Sequence, residues 1–173
     1  MNADASSQAR IVPATEADLP AIAALAAVIW RAYYPGIIST AQIDFMLEKM
    51  YSIATMRDEL RAQGIRYERL LVGDEFVGFA AYGPTEPAGD FKLHKLYLDP
   101  ARHGRGLGSL LLQHCLRAAA ELGARRLVLT VNKRNAKAIA AYRRNGFALV
   151  DSVVVDIGGG FVMDDYVMAK ALA

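Results

Sequence analysis

His103-Gly104-Arg105-Gly106-Leu107-Gly108 puts three glycines within five residues, where a predicted strand hands over to a predicted helix. Such a junction exposes several backbone N–H groups and the positive end of a helix dipole, which together bind phosphate. Glycine suits the task because the backbone must take unusual angles and no Cβ can stand between it and the anion. The segment is not a P-loop, since no Gly-Lys-Ser/Thr follows. It is not the dinucleotide fingerprint either: the third glycine position is Ser109 counted from Gly104 and Leu111 counted from Gly106. Standing alone, three close glycines also read as a flexible turn.

A second constellation follows at Asn135-x-x-Ala138-x-x-x-Tyr142-x-x-x-Gly146-Phe147. Asn135 and Tyr142 are seven residues apart, close to two helical turns, and Ala138 lies between them on the same face. A polar group, a gap wide enough for a ligand arm and a phenol therefore point the same way. The other reading of Tyr142 is a core aromatic packed on a sheet.

Charge separates along the chain. Twelve Lys or Arg stand against Asp99 and Glu121 between Lys92 and Arg144, whereas the remainder holds 8 basic and 16 acidic residues, for a net charge of only +2. One region is suited to an anion and the rest to a cation, or both are ordinary solvated faces. A nucleic-acid partner is disfavoured, because the basic charge falls at the glycine motif and no aromatic-interleaved basic surface accompanies it. The single Cys115 forbids an internal disulfide, leaves no CxxC pair, and reads as a small core residue. His94, His103 and His114 lack metal-ligand spacing, and no metal is expected. Asp164-Asp165 could hold a cation, but a pair beside the last strand reads first as solvated or as a turn cap.

The elements that must hold these residues alternate along the chain. Residues 9–13 suggest a strand ended by Pro13. Thr15 and Asp18 resemble a capping box that continues into a helix over Leu19–Trp30, stopped by Pro35-Gly36. Ser39 with Gln42 forms a second such box, opening a helix with Ile43, Met46, Leu47 and Met50 at helical spacing. A helical stretch over 53–63 ends at Gly64, and 66–73 with 76–82 reads as a hairpin around Asp74-Glu75. Beyond the Gly/Pro-rich segment 83–89, which reads as a linking loop, a strand runs from Lys92 to Leu98 and a helix from Leu107 to Leu122. A strand over Arg126–Val131, a helix over Asn135–Arg144 and strands near 147–155 and 161–170 complete the order, the last two joined by a loop at Gly158–Gly160. This order predicts an α/β (α+β) domain around one mixed sheet.

At 173 residues with 54% hydrophobic and 22% charged residues, the chain fits a single domain over 1–173 with a real core, residues 1–8 being loosely attached. Its longest uncharged apolar stretch, Leu19–Trp30, is about half of what a bilayer-spanning helix needs. No signal-peptide core appears near the start, and a cytoplasmic location is the expectation.

The two constellations resemble the GNAT superfamily of N-acetyltransferases, whose acyl-CoA signature is Arg/Gln-x-x-Gly-x-Gly/Ala between a strand and a helix. The matching residues are His103 to Gly108, preceded by Leu96-Tyr97-Leu98-Asp99-Pro100 and followed by the Asn135/Ala138/Tyr142/Gly146-Phe147 helix. His103 departs from the family's Arg or Gln. Val131-Asn132-Lys133-Arg134-Asn135 and Gly158–Met168 more loosely resemble bacterial spermidine/spermine N-acetyltransferases. The resemblance implies a mostly antiparallel twisted sheet flanked by helices, and acetyl-CoA as co-substrate. It implies that Leu96, Tyr97 and Leu98 splay from their neighbour and hold the pantetheine and thioester oxygen by backbone N–H. His103, Gly104, Arg105, Gly106, Leu107, Gly108 and Ser109 would wrap the diphosphate, and Asn135 would hold the pantetheine. Arg134, Lys137 or Arg144 would meet further phosphates, and Tyr142 would act as general acid toward sulfur.

A general base is not marked by spacing; Glu86, Asp90 and His94 are candidates near the central strand, and a water chain would also serve. Tyr33 and Tyr34 fall where GNAT proteins shape the acceptor pocket, or serve packing. The acceptor implied is a primary amine: a polyamine, another small molecule, or a protein lysine or N-terminus. The sequence is compatible with a homodimer and suggests no membrane partner. A non-catalytic acyl-CoA-binding regulatory module of the same fold is the alternative.

Overall fold

The computed structural model describes residues 8–173. The loosely attached segment expected over 1–8 falls almost wholly on residues 1–7, outside the described residues. Gln8 itself accepts a hydrogen bond from the Gly73 N–H at 3.2 Å.

Seven strands form one sheet: β1 (Ala9–Pro13), β2 (Arg66–Val72), β3 (Glu75–Thr85), β4 (Asp90–Leu98), β5 (Arg126–Asn132), β6 (Ala148–Gly158) and β7 (Phe161–Ala171). Their spatial order is β1-β2-β3-β4-β5-β7-β6, antiparallel throughout except for β4 beside β5. Helices α1 (Leu19–Tyr33), α2 (Thr40–Tyr51) and α3 (Ile53–Arg61) cover one face, and α4 (Leu107–Glu121) and α5 (Ala136–Arg144) the other. Two cores result. Leu19, Ile22, Ala26 and Trp30 of α1 pack on Tyr67, Phe79 and Ala81, while Leu107, Leu111, Cys115 and Ala119 of α4 pack on Val77, Leu127 and Leu129. Because both faces are covered, β3 is buried at every position from Val77 to Gly83, and its sequence runs apolar without alternation. Burial keeps the Cys115 thiol protonated, as a core residue requires.

Differences from the sequence expectations have local causes. The segment 83–89 is not all loop, because β3 runs through Gly83 and Pro84 to Thr85 and β4 begins at Asp90. Gly83 serves close approach: a Cβ there would lie 3.0 Å from the Gly64 carbonyl oxygen and from Ile65 Cα. The box at Ser39 is half formed. Ser39 Oγ accepts from the Gln42 N–H at 3.1 Å, but the Gln42 amide reaches away to donate to the Val162 carbonyl at 2.8 Å. Helix α1 runs three residues beyond Trp30, so Tyr33 ends it and Tyr34 caps it. Among the described residues, no helix is long and apolar enough to cross a membrane.

Candidate active site

Strands β4 and β5 pair over only three residue pairs, Asp90 with Arg126, Phe91 with Leu127 and Lys92 with Val128. Beyond Lys92 they part like the arms of a fork. The vertex is pinned by Arg126, whose Nη2 lies 2.5 Å from Asp90 Oδ2. On its other edge β4 slips register against β3, so that Tyr82 faces Leu93, Ala81 faces Lys95, and His94 bulges between them. The arm Leu93–Leu98 therefore offers backbone N–H groups that no strand accepts. A cavity of ≈ 710 Å³ fills the fork and continues past the glycine turn and α5 to the underside of α1 and α2.

The glycine turn closes one end. Gly104 and Gly106 both have φ of +75°, and a Cβ at either would meet nothing within 4 Å. Gly106 is the N-cap of α4 and no side chain caps that end, so the first-turn N–H groups face open space. This geometry fits an anionic ligand. His103 is fixed rather than free. Lys137 Nζ donates to its Nδ1 at 2.9 Å, which leaves Nε2–H to donate to the Leu98 carbonyl at 3.0 Å.

Asn135 is the N-cap of α5: its Oδ1 accepts from the Ala138 N–H at 3.2 Å and from the Tyr33 hydroxyl at 2.7 Å. Tyr142 follows on the same helix with its ring edge-on to Phe147, centroids 5.7 Å apart, and borders the cavity. Burial, then the nearby Tyr33 and Cys115, pushes its pKa up to about 12. The phenol thus keeps its proton at neutral pH.

Nearly all the sequence-derived candidates border this one cavity: Leu96, Tyr97, Leu98, His103, Gly104, Gly106, Leu107, Gly108, Ser109, Asn135, Tyr142 and Arg144. Arg105 does not; its side chain is exposed beside the turn. Arg134 is turned elsewhere, donating to the Gly36 and Ile37 carbonyls at 2.8 Å each. Of the three proton acceptors considered, Glu86 is exposed outside the cleft and Asp90 is committed to Arg126. Only His94 borders the cavity. Burial, reinforced by Lys92 and Lys95, depresses its pKa to about 4, so the imidazole is neutral at physiological pH.

Two features escaped the sequence reading. Lys95 is 2% exposed and donates to Glu59 on α3 at 2.7 and 3.0 Å, making a buried neutral pair at the cavity wall. Asp165, read as solvated, is 4% exposed and borders the cavity from β7. Burial pushes its carboxyl up to about 6, against the opposing pull of Lys92 and Lys133. Its neighbour Asp164 is the exposed member and pairs with Lys133 at 2.5 Å. A strand alternates its faces, which is what separates these adjacent aspartates. Among the described residues no group of three or more His, Cys, Asp or Glu is placed to hold a metal ion.

A glycine-capped helix beside a forked parallel strand pair, in this strand order, defines an acetyltransferase-type fold, and comparison with known proteins agrees. The sequence model of the Acetyltransferase (GNAT) family matches residues 26–147, and the chain belongs to that family. An uncharacterised N-acetyltransferase of Mycobacterium tuberculosis is 31% identical over 129 residues, 75% of this chain and 72% of the relative. The streptothricin acetyltransferase of Streptomyces lavendulae is 38% identical over 74 residues, 43% of this chain and 39% of the relative. In fold, the chain is similar to the PaiA N-acetyltransferase of Thermoplasma acidophilum, solved in complex with coenzyme A. That match has a TM-score of 0.81 at 24% identity and covers 94% of this chain and 98% of the other.

Proposed function

We propose that this chain transfers an acetyl group from acetyl-CoA to a primary amine by direct attack. One observation carries the reading: the open arm of β4, the glycine turn with its uncapped helix end, and Tyr142 all border a single cavity. The coenzyme A held by the PaiA relative gives it further support.

The residues divide the work. N–H groups from Gly104 to Ser109 take the diphosphate, with Lys137 and Arg144 supplying charge at the same end of the cleft. The free edge of Leu96–Leu98 hydrogen-bonds the pantetheine amides and polarises the thioester carbonyl, stabilising the oxyanion that forms on attack. Asn135 aligns the arm, its own orientation held by Tyr33. The amine nitrogen bonds to the carbonyl carbon, the carbon–sulfur bond breaks, the thiolate takes the Tyr142 proton, and the proton the nitrogen sheds on becoming an amide restores the phenol. A phenol with a pKa of about 12 suits a thiolate formed in the same enclosed space, because lost hydration raises both. No covalent acyl-enzyme is needed.

Calorimetric titration with acetyl-CoA, followed by thiol release with a panel of primary amines, tests the reading. Saturable binding and amine-dependent thiol release are expected. Absence of binding overturns it, and binding without turnover of any amine indicates the non-catalytic module instead.

A further inference from the structure

The charges at the end of the cavity away from the glycine turn are few, and they do not suit a polycation. That end is bordered by Gln42, Met46, Lys49 and Met50 of α2, Lys92 and His94 of β4, and Met163 and Asp165 of β7. Glu59 and Lys95 also reach it, but they neutralise each other. Among the described residues, the lysine–carboxylate pairs are Lys95–Glu59 and Lys133–Asp164, so Lys92, Lys49 and Asp165 stand outside any ion pair. Lys49 is held with its ammonium against the Ile157 carbonyl and over the Phe45 ring, 5.7 Å from its centroid. The excess acidic charge outside the basic stretch is thus not gathered here: two unpaired lysines and one unpaired, buried carboxylate remain.

Resting on the acetyltransferase reading, we propose that the acceptor is an amine that also carries a carboxylate or comparable oxyanion, an amino acid or close analogue. Its ammonium meets Asp165 and its anion meets Lys92, with Lys49 reinforcing the positive side. Lys92 and Asp165 border the same cavity without forming an ion pair, so a small molecule presenting both charges can meet each of them. Asp165 then serves twice, orienting the ammonium and receiving its proton before attack on the thioester carbon. A polyamine fares badly in this pocket. Its second ammonium finds Glu59 already occupied and faces Lys92 and Lys49, and like charges brought together in an enclosed site are strongly unfavourable. Burying an unpaired carboxylate on β7 is costly in the absence of a ligand, and a cationic group in the acceptor relieves that cost.

The test is a set of matched acceptors with the intact chain: L-amino acids, each beside its C-terminal amide and its decarboxylated amine, at saturating acetyl-CoA. The carboxylate-bearing member is expected to show kcat/KM about 10- to 100-fold above its partners. In Lys92→Met that ratio falls toward one, and in Lys49→Met, on a different element, it falls partway. Calorimetry with acetyl-CoA confirms that each variant is folded and competent. Preference for the amides or decarboxylated amines, or a ratio unmoved by Lys92→Met, overturns the acceptor class and leaves the acetyltransferase reading standing. Loss of acetyl-CoA binding in the parent chain, or binding without turnover of any amine, overturns both.

Discussion

The Tyr33 hydroxyl donates to Asn135 Oδ1 at 2.7 Å, joining the last turn of α1 to the first turn of α5 across 102 positions of sequence. The same oxygen caps α5, so one side-chain carbonyl fixes both the helix start and the wall of the cleft. Tyr33→Phe removes the donor and keeps the ring. It is expected to raise the KM for acetyl-CoA several-fold while lowering stability by only about 1 kcal/mol. Steady-state kinetics and urea unfolding check the two numbers separately.

Tyr142→Phe deletes the proposed proton donor without opening a cavity. Turnover should fall by about 10²- to 10³-fold, with acetyl-CoA affinity within roughly twofold of the parent. Unchanged turnover removes Tyr142 from the chemistry.

Gly106 carries a left-handed φ of +75° at the start of α4, an angle at which a side chain costs about 1–2 kcal/mol. Gly106→Ala should lower the unfolding free energy by about that amount. It should also weaken coenzyme binding more than Gly36→Ala, which strains a similar angle of +87° away from the cleft. Equal effects on binding in the two variants would contradict a phosphate-cradling turn.

Asp165 links activity to stability in opposite directions. Its folded pKa, about 6, lies above the ordinary 3.8. Between those values the native chain holds a proton that the unfolded chain has released, so stability falls as pH rises through the interval. Asp165→Asn removes the ionised group and should stabilise the protein by about 1–3 kcal/mol at pH 7.5, with little gain at pH 4. The same change should depress kcat/KM for amine acceptors, and in the parent chain that parameter should decline below pH 6. Denaturation at the two pH values and a pH–rate profile provide the check.

The sequence was most informative where function depends on local backbone. His103–Gly108 and Asn135–Tyr142 were legible because a tight turn and a helix face leave fixed spacings. Asp165, Lys92 and the Lys95–Glu59 pair were not. Each gains its role from a neighbour on another element, Glu59 lying 36 positions from Lys95, and spacing along the chain does not encode such meetings. Asp164 and Asp165 look alike in sequence, and only the register of β7 between β5 and β6 turns one outward and buries the other. The run 83–89 misled through composition: Gly and Pro suggest a loop, but pairing with β4 carries Gly83 and Pro84 into the sheet.

The three-pair junction between β4 and β5 leaves two sub-sheets that meet along a short seam. A chain of amides lying in the gap would act as a surrogate strand, stitching β1–β4 to β5–β7 where the polypeptide does not. The rigidity of the whole domain would then follow the local abundance of its acyl donor. At a hundredfold excess over its dissociation constant, that donor adds about 2.7 kcal/mol to the unfolding free energy. Starved of it, the two halves should breathe against each other about the Asp90–Arg126 pin, and amide exchange over residues 93–98 and 129–132 should quicken first.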